Sequence, residues 1–201
     1  MNKIDEFYTK DPAQFALSYI DYVASVFKAI DSREIEQFVQ TILDARRSGV
    51  TLYFIGNGGS ASTASHFAND LSFGTHSYDL PFRVFSLTDN QPAITAIAND
   101  YGYEEIFSRQ LAVYGKEGDV VVGISASGNS PNILSAFSWA KKSGVKTVAL
   151  TAFDGGKMRE VADENVYVPT ELKEYGPAED AHMMLNHLVS AYLLRVIKDN
   201  S

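Results

Sequence analysis

Residues 52–70 read Leu-Tyr-Phe-Ile-Gly-Asn-Gly-Gly-Ser-Ala-Ser-Thr-Ala-Ser-His-Phe-Ala-Asn-Asp. Four apolar residues end at a run of glycines, and Ser60, a good N-cap, follows, so the pattern predicts a buried strand, a tight loop and a helix. Glycines let the loop backbone approach a ligand closely, and the start of the helix offers N–H groups and the positive end of its dipole. The stretch therefore predicts a site for an anion, of which phosphate is the most common.

The same helix carries a possible catalytic or metal-binding pair. His66 and Asp70 are four residues apart, which places both side chains on one face of the helix. They lie roughly two turns from the predicted phosphate site. A histidine and an aspartate at this spacing are most often a surface pair, so the spacing alone does not identify a metal site.

Composition limits the kind of ligand. The chain has 201 residues, 17 Lys and Arg against 25 Asp and Glu, and a formal charge of −8, which argues against a nucleic-acid partner. A single small anion remains compatible, because backbone N–H groups can supply local positive potential. The absence of cysteine fits a cytoplasmic protein, and the sequence offers neither a signal peptide nor a stretch long enough to cross a membrane.

A second loop follows another apolar run. Residues 120–124 are apolar, and they lead into Ser125-Ala126-Ser127-Gly128-Asn129-Ser130 and then a proline that suits the first turn of a helix. Its hydroxyls can donate to phosphate oxygens. Either loop alone could be an ordinary turn, but two at strand ends could converge on one crevice. Neither has the spacing of a P-loop or a dinucleotide fingerprint, so a sugar phosphate is favoured over a nucleotide.

The whole chain alternates strands with helices, which predicts an α/β sandwich of three layers around a parallel sheet of five strands. Ligands of such folds bind at the carboxyl ends of the strands, where both loops lie.

We expect one domain over residues 1–201, with residues 1–48 as an N-terminal helical extension. The first long helix is rich in aromatic residues, and it could pack on its own domain or on a partner subunit. Further strands are predicted over residues 81–87, 119–125, 147–151 and 166–168, and helices over residues 12–30, 31–48, 94–98, 104–114, 131–142, 157–163 and 176–198.

Five motifs in order resemble the SIS (sugar isomerase) domain family. They are Gly56-Asn57-Gly58-Gly59-Ser60, His66-Phe67-Ala68, Ala98-Asn99-Asp100-Tyr101-Gly102, Gly123-Ile124-Ser125-Ala126-Ser127-Gly128-Asn129-Ser130, and Leu150-Thr151 with Asp154-Gly155-Gly156-Lys157-Met158. Within this family the chain is most similar to the phosphoheptose isomerase branch, and the match covers nearly everything after residue 31. The resemblance implies a flavodoxin-like strand order and conversion of sedoheptulose 7-phosphate to D-glycero-D-manno-heptose 7-phosphate through an enediol, for surface-glycan heptose. It also implies a cytoplasmic homotetramer with active sites at subunit interfaces, often holding zinc.

The resemblance implies roles for particular residues. Asp70 matches the catalytic base and His187 the catalytic acid. One zinc ion per subunit would be held by four side chains: His66, Asp70, Glu179 and His187. The substrate contacts would be Asn57, Gly58, Ser60, Asp100, Ser125, Ala126, Ser127, Ser130 and Glu179. His182 is predicted not to be catalytic, and Tyr8, Tyr101 and Tyr103 are predicted to be packing or interface residues.

Five positions depart from the family pattern. Asp70 replaces a glutamate, Glu179 a glutamine, Ala126 a threonine, Gly176 an aspartate and Gly74 an arginine. These changes leave open an isomerase of another sugar phosphate. A non-catalytic relative that binds the replication initiator protein is a further alternative, against which the retained acid and histidine weigh.

Helix geometry sets a condition on the four-ligand set. Glu179 and His187 are eight residues apart, about 12 Å of helix rise. They can share an ion only if Glu179 lies at an irregular start of the last helix. A second carboxylate would also make the ion a weaker Lewis acid.

Overall fold

A computed structural model describes residues 2–199. Its centre is a parallel sheet of five strands. The spatial order is β2-β1-β3-β4-β5, which is the flavodoxin-like order. The predicted three-layer α/β architecture is therefore confirmed. The strands are β1 (Thr51–Gly56), β2 (Arg83–Ser86), β3 (Val120–Ser125), β4 (Lys146–Thr151) and β5 (Glu164–Tyr167).

Helices cover both faces of this sheet, and two short irregular helical segments interrupt the series. Asp70–Gly74 forms a π-helix directly after α4, and Tyr103–Glu105 forms a 3₁₀ turn before α6. The helices are α1 (Lys3–Phe7), α2 (Pro12–Lys28), α3 (Ser32–Ser48), α4 (Gly59–Asn69), α5 (Gln91–Tyr101), α6 (Ser108–Tyr114), α7 (Pro131–Lys142), α8 (Gly156–Val161) and α9 (Tyr175–Asp199).

Each face of the sheet has its own apolar core. Side chains alternate along β1, so Leu52 and Phe54 pack with residues of α3, α4 and α9, while Tyr53 and Ile55 pack with residues of α6 and α7. All six residues of β1 are buried, as are all six of β3. Coverage on both faces explains why these two central strands are mostly apolar rather than alternating with polar residues.

The structure corrects several boundaries. Gly58, not Ser60, is the N-cap of α4, because its φ of +54° turns the chain into a helix that begins at Gly59. The helix predicted over residues 94–98 extends over Gln91–Tyr101, since the Asn90 side chain accepts the Ala93 N–H and caps an earlier start. The helix predicted over residues 104–114 divides into the 3₁₀ turn and α6.

The ends of the predicted domain, residues 1, 200 and 201, lie outside the described residues. Within residues 2–199, no helix combines the length and apolar character needed to cross a membrane.

Candidate active site

The two predicted loops lie side by side because β1 and β3 are neighbours in the sheet. In the second loop the Ser125 Oγ lies 3.1 Å from the Ser130 Oγ and 3.5 Å from the Ser127 Oγ. The Ser125 and Ser127 oxygens also accept backbone N–H groups of the same loop. Since those oxygens already act as acceptors, their protons remain suited to donation to an anion.

A cavity of about 170 Å³ joins these loops to the start of α9. Ser60 and Asn57 contribute from the first loop, and Tyr175 and Glu179 contribute from α9. Most of the predicted substrate contacts are thus brought together. Among the described residues, Gly58 and Asp100 are the two predicted contacts that do not line the cavity. Asp100 is exposed on α5. The lining is Asn57, Ser60, Ile124, Ser125, Ala126, Ser127, Ser130, Tyr175 and Glu179.

The starts of two helices border this cavity, and neither has a side-chain cap. Ser130 occupies the N-cap position of α7, yet its side chain makes no capping hydrogen bond and its hydroxyl turns toward Ser125. Gly58 has no side chain with which to cap α4. Uncapped helix starts leave backbone donors and positive dipole ends for an anion.

An amide pair fastens the two loops to each other. The Asn57 Nδ2 donates to the Asn132 Oδ1 at 3.0 Å, and the Asn132 Nδ2 donates back to the Asn57 Oδ1 at 2.8 Å. The Tyr103 hydroxyl donates to the same Asn57 oxygen at 2.9 Å. Tyr103 therefore contacts a residue of the cavity, beyond the packing role predicted for it. Nothing in the sequence pattern singled out Asn132, which is buried at the first turn of α7.

Two glycines at the site have close neighbours, and a backbone contact explains the first of them. A Cβ on Gly128, whose φ is +61°, would lie 1.9 Å from the carbonyl oxygen of Gly155. A Cβ on Gly59 would lie 2.2 Å from the Glu179 Oε2. The second contact shows that the Glu179 carboxylate lies against the first turn of α4.

Farther along α4 and α9, two histidines and an aspartate converge. The His66 Nε2 lies 3.3 Å from the Asp70 Oδ2 and 3.4 Å from the His187 Nε2. One ligand atom from each of the three side chains falls within 4.8 Å of the other two. The predicted pairing of His66 and Asp70 on one helical face and their meeting with His187 are both present in the structure.

The distances within this cluster fit a tetrahedral metal ion. Zinc binds histidine nitrogen and carboxylate oxygen at about 2.0–2.1 Å, so two ligand atoms at a tetrahedral angle lie about 3.3–3.4 Å apart. The two short distances in the cluster are of this length. Three protein ligands with a fourth position for water or substrate are typical of catalytic zinc sites.

Asp70 lies where the regular α-helix ends. It is the first residue of the π-helical segment, and such segments are frequent at functional sites. Its Oδ2 accepts a hydrogen bond from the Asn186 Nδ2 at 2.9 Å, and its Oδ1 accepts one from the Asn69 Nδ2 at 3.2 Å. Sequence reasoning missed Asn186, whose position directly before His187 on α9 is the only available signal.

Glu179 is not part of this cluster. It belongs to the second turn of a regular helix, so the irregular start that ligation would require is absent from the described part of α9. Its carboxyl lines the cavity instead, and the pKa of that carboxyl is raised above its usual range, first by burial and then by the charge of Asp180. Of the four side chains predicted to hold zinc, the structure brings together His66, Asp70 and His187 and places Glu179 in the cavity; zinc binding itself stays a prediction.

His182 lies in the interior between these sites. It is fully buried on α9, and within residues 2–199 neither ring nitrogen has a hydrogen-bond partner of normal geometry. Burial lowers the pKa of its imidazole from 6.5 to about 4, and a weaker contact with the Thr151 backbone offsets part of that effect. A buried neutral imidazole agrees with the prediction that His182 is not catalytic.

Gly176 stands where the family pattern has an aspartate. It is exposed, and the nearest atom to a Cβ built there is the Tyr19 hydroxyl oxygen at 3.1 Å. That hydroxyl donates to Asp180 at 2.5 Å. Gly74 is exposed, and a Cβ built there would be in ordinary contact with the Asp70 Cβ at 3.8 Å.

Several known proteins are similar to this chain in sequence and in fold. The family model described as SIS domain matches residues 18–152. The chain is 40% identical over 178 residues to the phosphoheptose isomerase of Akkermansia muciniphila, which covers 87% of this chain and 93% of that protein. It is 39% identical over 177 residues to a probable phosphoheptose isomerase of Thermoplasma volcanium, covering 87% and 88%. The solved structure of phosphoheptose isomerase GmhA from Neisseria gonorrhoeae matches with a TM-score of 0.80 and 29% identity, over 90% of this chain and 97% of that one.

Proposed function

Since this chain belongs to the SIS domain family, we propose that it is an aldose–ketose isomerase that converts sedoheptulose 7-phosphate to D-glycero-D-manno-heptose 7-phosphate. The relatives named phosphoheptose isomerase support this substrate, because the match covers most of both chains. The product is a heptose phosphate of the kind needed for surface glycans.

One observation carries the proposal. Helices α4 and α9 pack against each other, and each supplies both a cavity residue and a histidine of the cluster. Ser60 and His66 are six residues apart on α4, which is about 9 Å of helix rise. A sugar phosphate of six or seven carbons in an extended conformation can bridge such a span, with its phosphate in the cavity and its carbonyl end at the cluster.

The phosphate is held by hydroxyl protons of the serine loop and by backbone N–H groups at the helix starts. This binding fixes the position of C1 and C2 of the sugar. Asp70 accepts a proton from C1 while the C2 carbonyl oxygen gains the Nδ1 proton of His187, whose Nε2 would bind the metal, and the C1–C2 double bond of the enediol forms. The proton then returns from Asp70 to C2 as the C1 hydroxyl gives its proton to His187, which leaves an aldehyde at C1 and restores both groups.

A metal ion, for which zinc is the best match, is proposed at one per subunit, held by His66, Asp70 and His187. When bound, it polarises the substrate carbonyl. Asp70 can serve both as ligand and as base, because its two oxygens have different surroundings. The Oδ2 faces His66, while the Oδ1 contacts only the exposed Asn69 among the described residues.

The proposed enzyme is a homotetramer that acts in the cytoplasm, with its sites at subunit interfaces. Support comes from apolar side chains that α2 and α9 leave exposed. Leu17 is 67% exposed and Ile20 61% exposed one turn along α2, which packs on α9. On α9, Met184, Leu188 and Tyr192 are exposed at helical spacing. Exposed apolar groups of this kind mark protein–protein contacts.

An isomerase of another sugar phosphate is a second candidate. The observation that favours it is the lack of a side chain at Gly176 and Gly74, two exposed positions where the family pattern has a charged residue. The non-catalytic alternative has no such support, because a protein that only binds a partner has no use for the converging His66, Asp70 and His187.

The test is turnover of sedoheptulose 7-phosphate by purified protein, first stripped with a chelator and then supplied with zinc. Ketose phosphates of five and six carbons serve as alternative substrates, and His187→Gln as the inactive control. Turnover restored by zinc supports the enzyme and the metal together. Turnover of a shorter sugar alone favours the second candidate, and turnover of none of them refutes the proposal.

A further inference from the structure

Asn186 is a buried polar residue in an apolar stripe of α9. Its neighbours in that stripe are Leu185 and Val189, and all three are fully buried. A core position on a helix is normally apolar, and burying an amide is unfavourable unless its hydrogen bonds are satisfied. The partners of Asn186 therefore indicate what the amide is for.

Those partners connect Asn186 to the cluster. Its Nδ2 donates to the Asp70 Oδ2 at 2.9 Å, and this is the oxygen that faces the His66 Nε2. One turn along α9, the Ser190 hydroxyl approaches the Asn186 Oδ1 at 3.5 Å. Because the Ser190 hydroxyl is a donor, the amide oxygen of Asn186 faces Ser190 and its NH₂ group faces Asp70.

We propose that Asn186 is a positioning residue that holds the Asp70 carboxylate toward His66 and His187. The inference rests on the proposed function, in which the Asp70 carboxylate is both a metal ligand and the base. Asp70 is one methylene shorter than the glutamate of the family pattern, so it reaches less far from α4. A donor fixed on the opposite helix compensates for that by restricting the carboxylate to the orientation in which its Oδ2 faces the two histidines.

The experiment compares the wild-type chain with Asn186→Leu, which removes the donor and preserves approximate volume. Zinc affinity is measured on chelator-stripped protein by competition with a chromophoric chelator, and kcat and KM are measured on sedoheptulose 7-phosphate. Hydrogen-bond partners of metal ligands change metal affinity or activity by about 10- to 100-fold when mutated. We expect zinc affinity and kcat to fall by about that factor, with KM unchanged because the phosphate cavity is intact.

Two further variants separate positioning from packing. Asn165→Leu in β5 removes an amide hydrogen bond to the Arg159 carbonyl of α8, outside the site, and is expected to leave zinc affinity and kcat unchanged. Asp70→Glu in the Asn186→Leu background restores the longer acid, so we expect it to recover part of the lost zinc affinity. Residues in direct contact show such non-additivity.

Zinc affinity and kcat both close to wild type in Asn186→Leu, with normal thermal unfolding of the metal-free protein, would overturn the inference. If the wild type binds zinc but isomerises none of the sugars, the proposed function fails while the zinc affinities still decide the role of Asn186. If the wild type isomerises the sugar without binding zinc, the comparison of kcat between wild type and Asn186→Leu decides the role of Asn186. A wild type that does neither overturns both.

Discussion

Lowering the pH from 7 to 4.5 should destabilise this protein through His182. The imidazole is fully buried, and its pKa in the folded protein is about 4. In the unfolded chain the pKa returns to about 6.5. Between these two values the unfolded chain binds a proton that the folded protein does not, so stability falls as the pH falls through this window.

The size of the effect follows from the two pKa values. At pH 4.5 an unfolded histidine is almost fully protonated, and the folded one is mostly neutral. The linkage relation then gives a loss of about 2.5 kcal/mol in the free energy of unfolding relative to pH 7. With a urea dependence of about 2 kcal/mol per molar, the midpoint moves by roughly 1 M.

The assay is urea unfolding at pH 7, 5.5 and 4.5, at one protein concentration because association affects stability. Acidic groups also titrate here, so the measured quantity is the difference between wild type and His182→Leu. The variant should match or exceed wild type at pH 7, because it removes two unpaired buried nitrogens, and its advantage should grow by about 2.5 kcal/mol at pH 4.5.

His76→Asn is the matched control. His76 is exposed, and its φ of 51° is one that asparagine tolerates. Water surrounds an exposed side chain in both states, so this variant should keep the pH dependence of wild type. A His182→Leu variant whose advantage stays constant from pH 7 to 4.5 would refute the burial argument.

Three further predictions concern the site and the assembly. Ser127→Ala removes a donor from the phosphate cavity, so KM should rise about tenfold or more with a smaller change in kcat; an unchanged KM in steady-state kinetics would place the phosphate elsewhere. Glu179→Gln removes a negative charge from the cavity and should lower KM, while zinc affinity stays within about twofold; a large loss of zinc affinity in chelator competition would show that Glu179 is a ligand. Leu17→Glu with Ile20→Glu should dissociate the assembly in sedimentation, since both side chains are exposed apolar groups on α2; an unchanged sedimentation coefficient would exclude this face from the interface.

The features that the sequence predicts well are local. The order of strand, glycine loop and helix at residues 51–69 depends on neighbouring residues, and so does the common face of His66 and Asp70. The strand order follows from the family resemblance. The predicted start of a helix is wrong where a glycine takes the place of a side-chain cap, as Gly58 does at α4.

Contacts between distant segments were not predictable in the same way. Asn57 meets Asn132 across 75 residues, and Asp70 meets Asn186 across 116. Each contact depends on how two helices lie against the sheet and on which rotamer an amide adopts, and neither quantity leaves a periodic pattern in the sequence. Buried asparagines are the residues most easily overlooked, because they resemble ordinary polar residues until their burial is known.

The place of Glu179 changes the electrostatics expected of the metal site. The rise of a regular helix already put Glu179 and His187 about 12 Å apart, and the described α9 is regular from Tyr175 onward. A divalent ion held by two neutral imidazoles and one carboxylate keeps a net positive charge, whereas a second carboxylate would cancel it. With the three proposed ligands the ion would therefore be the stronger Lewis acid, and a coordination position would remain for the substrate oxygen. Glu179 lines the cavity proposed for the phosphate instead, where its negative charge would weaken anion binding and so limit the affinity for the sugar phosphate.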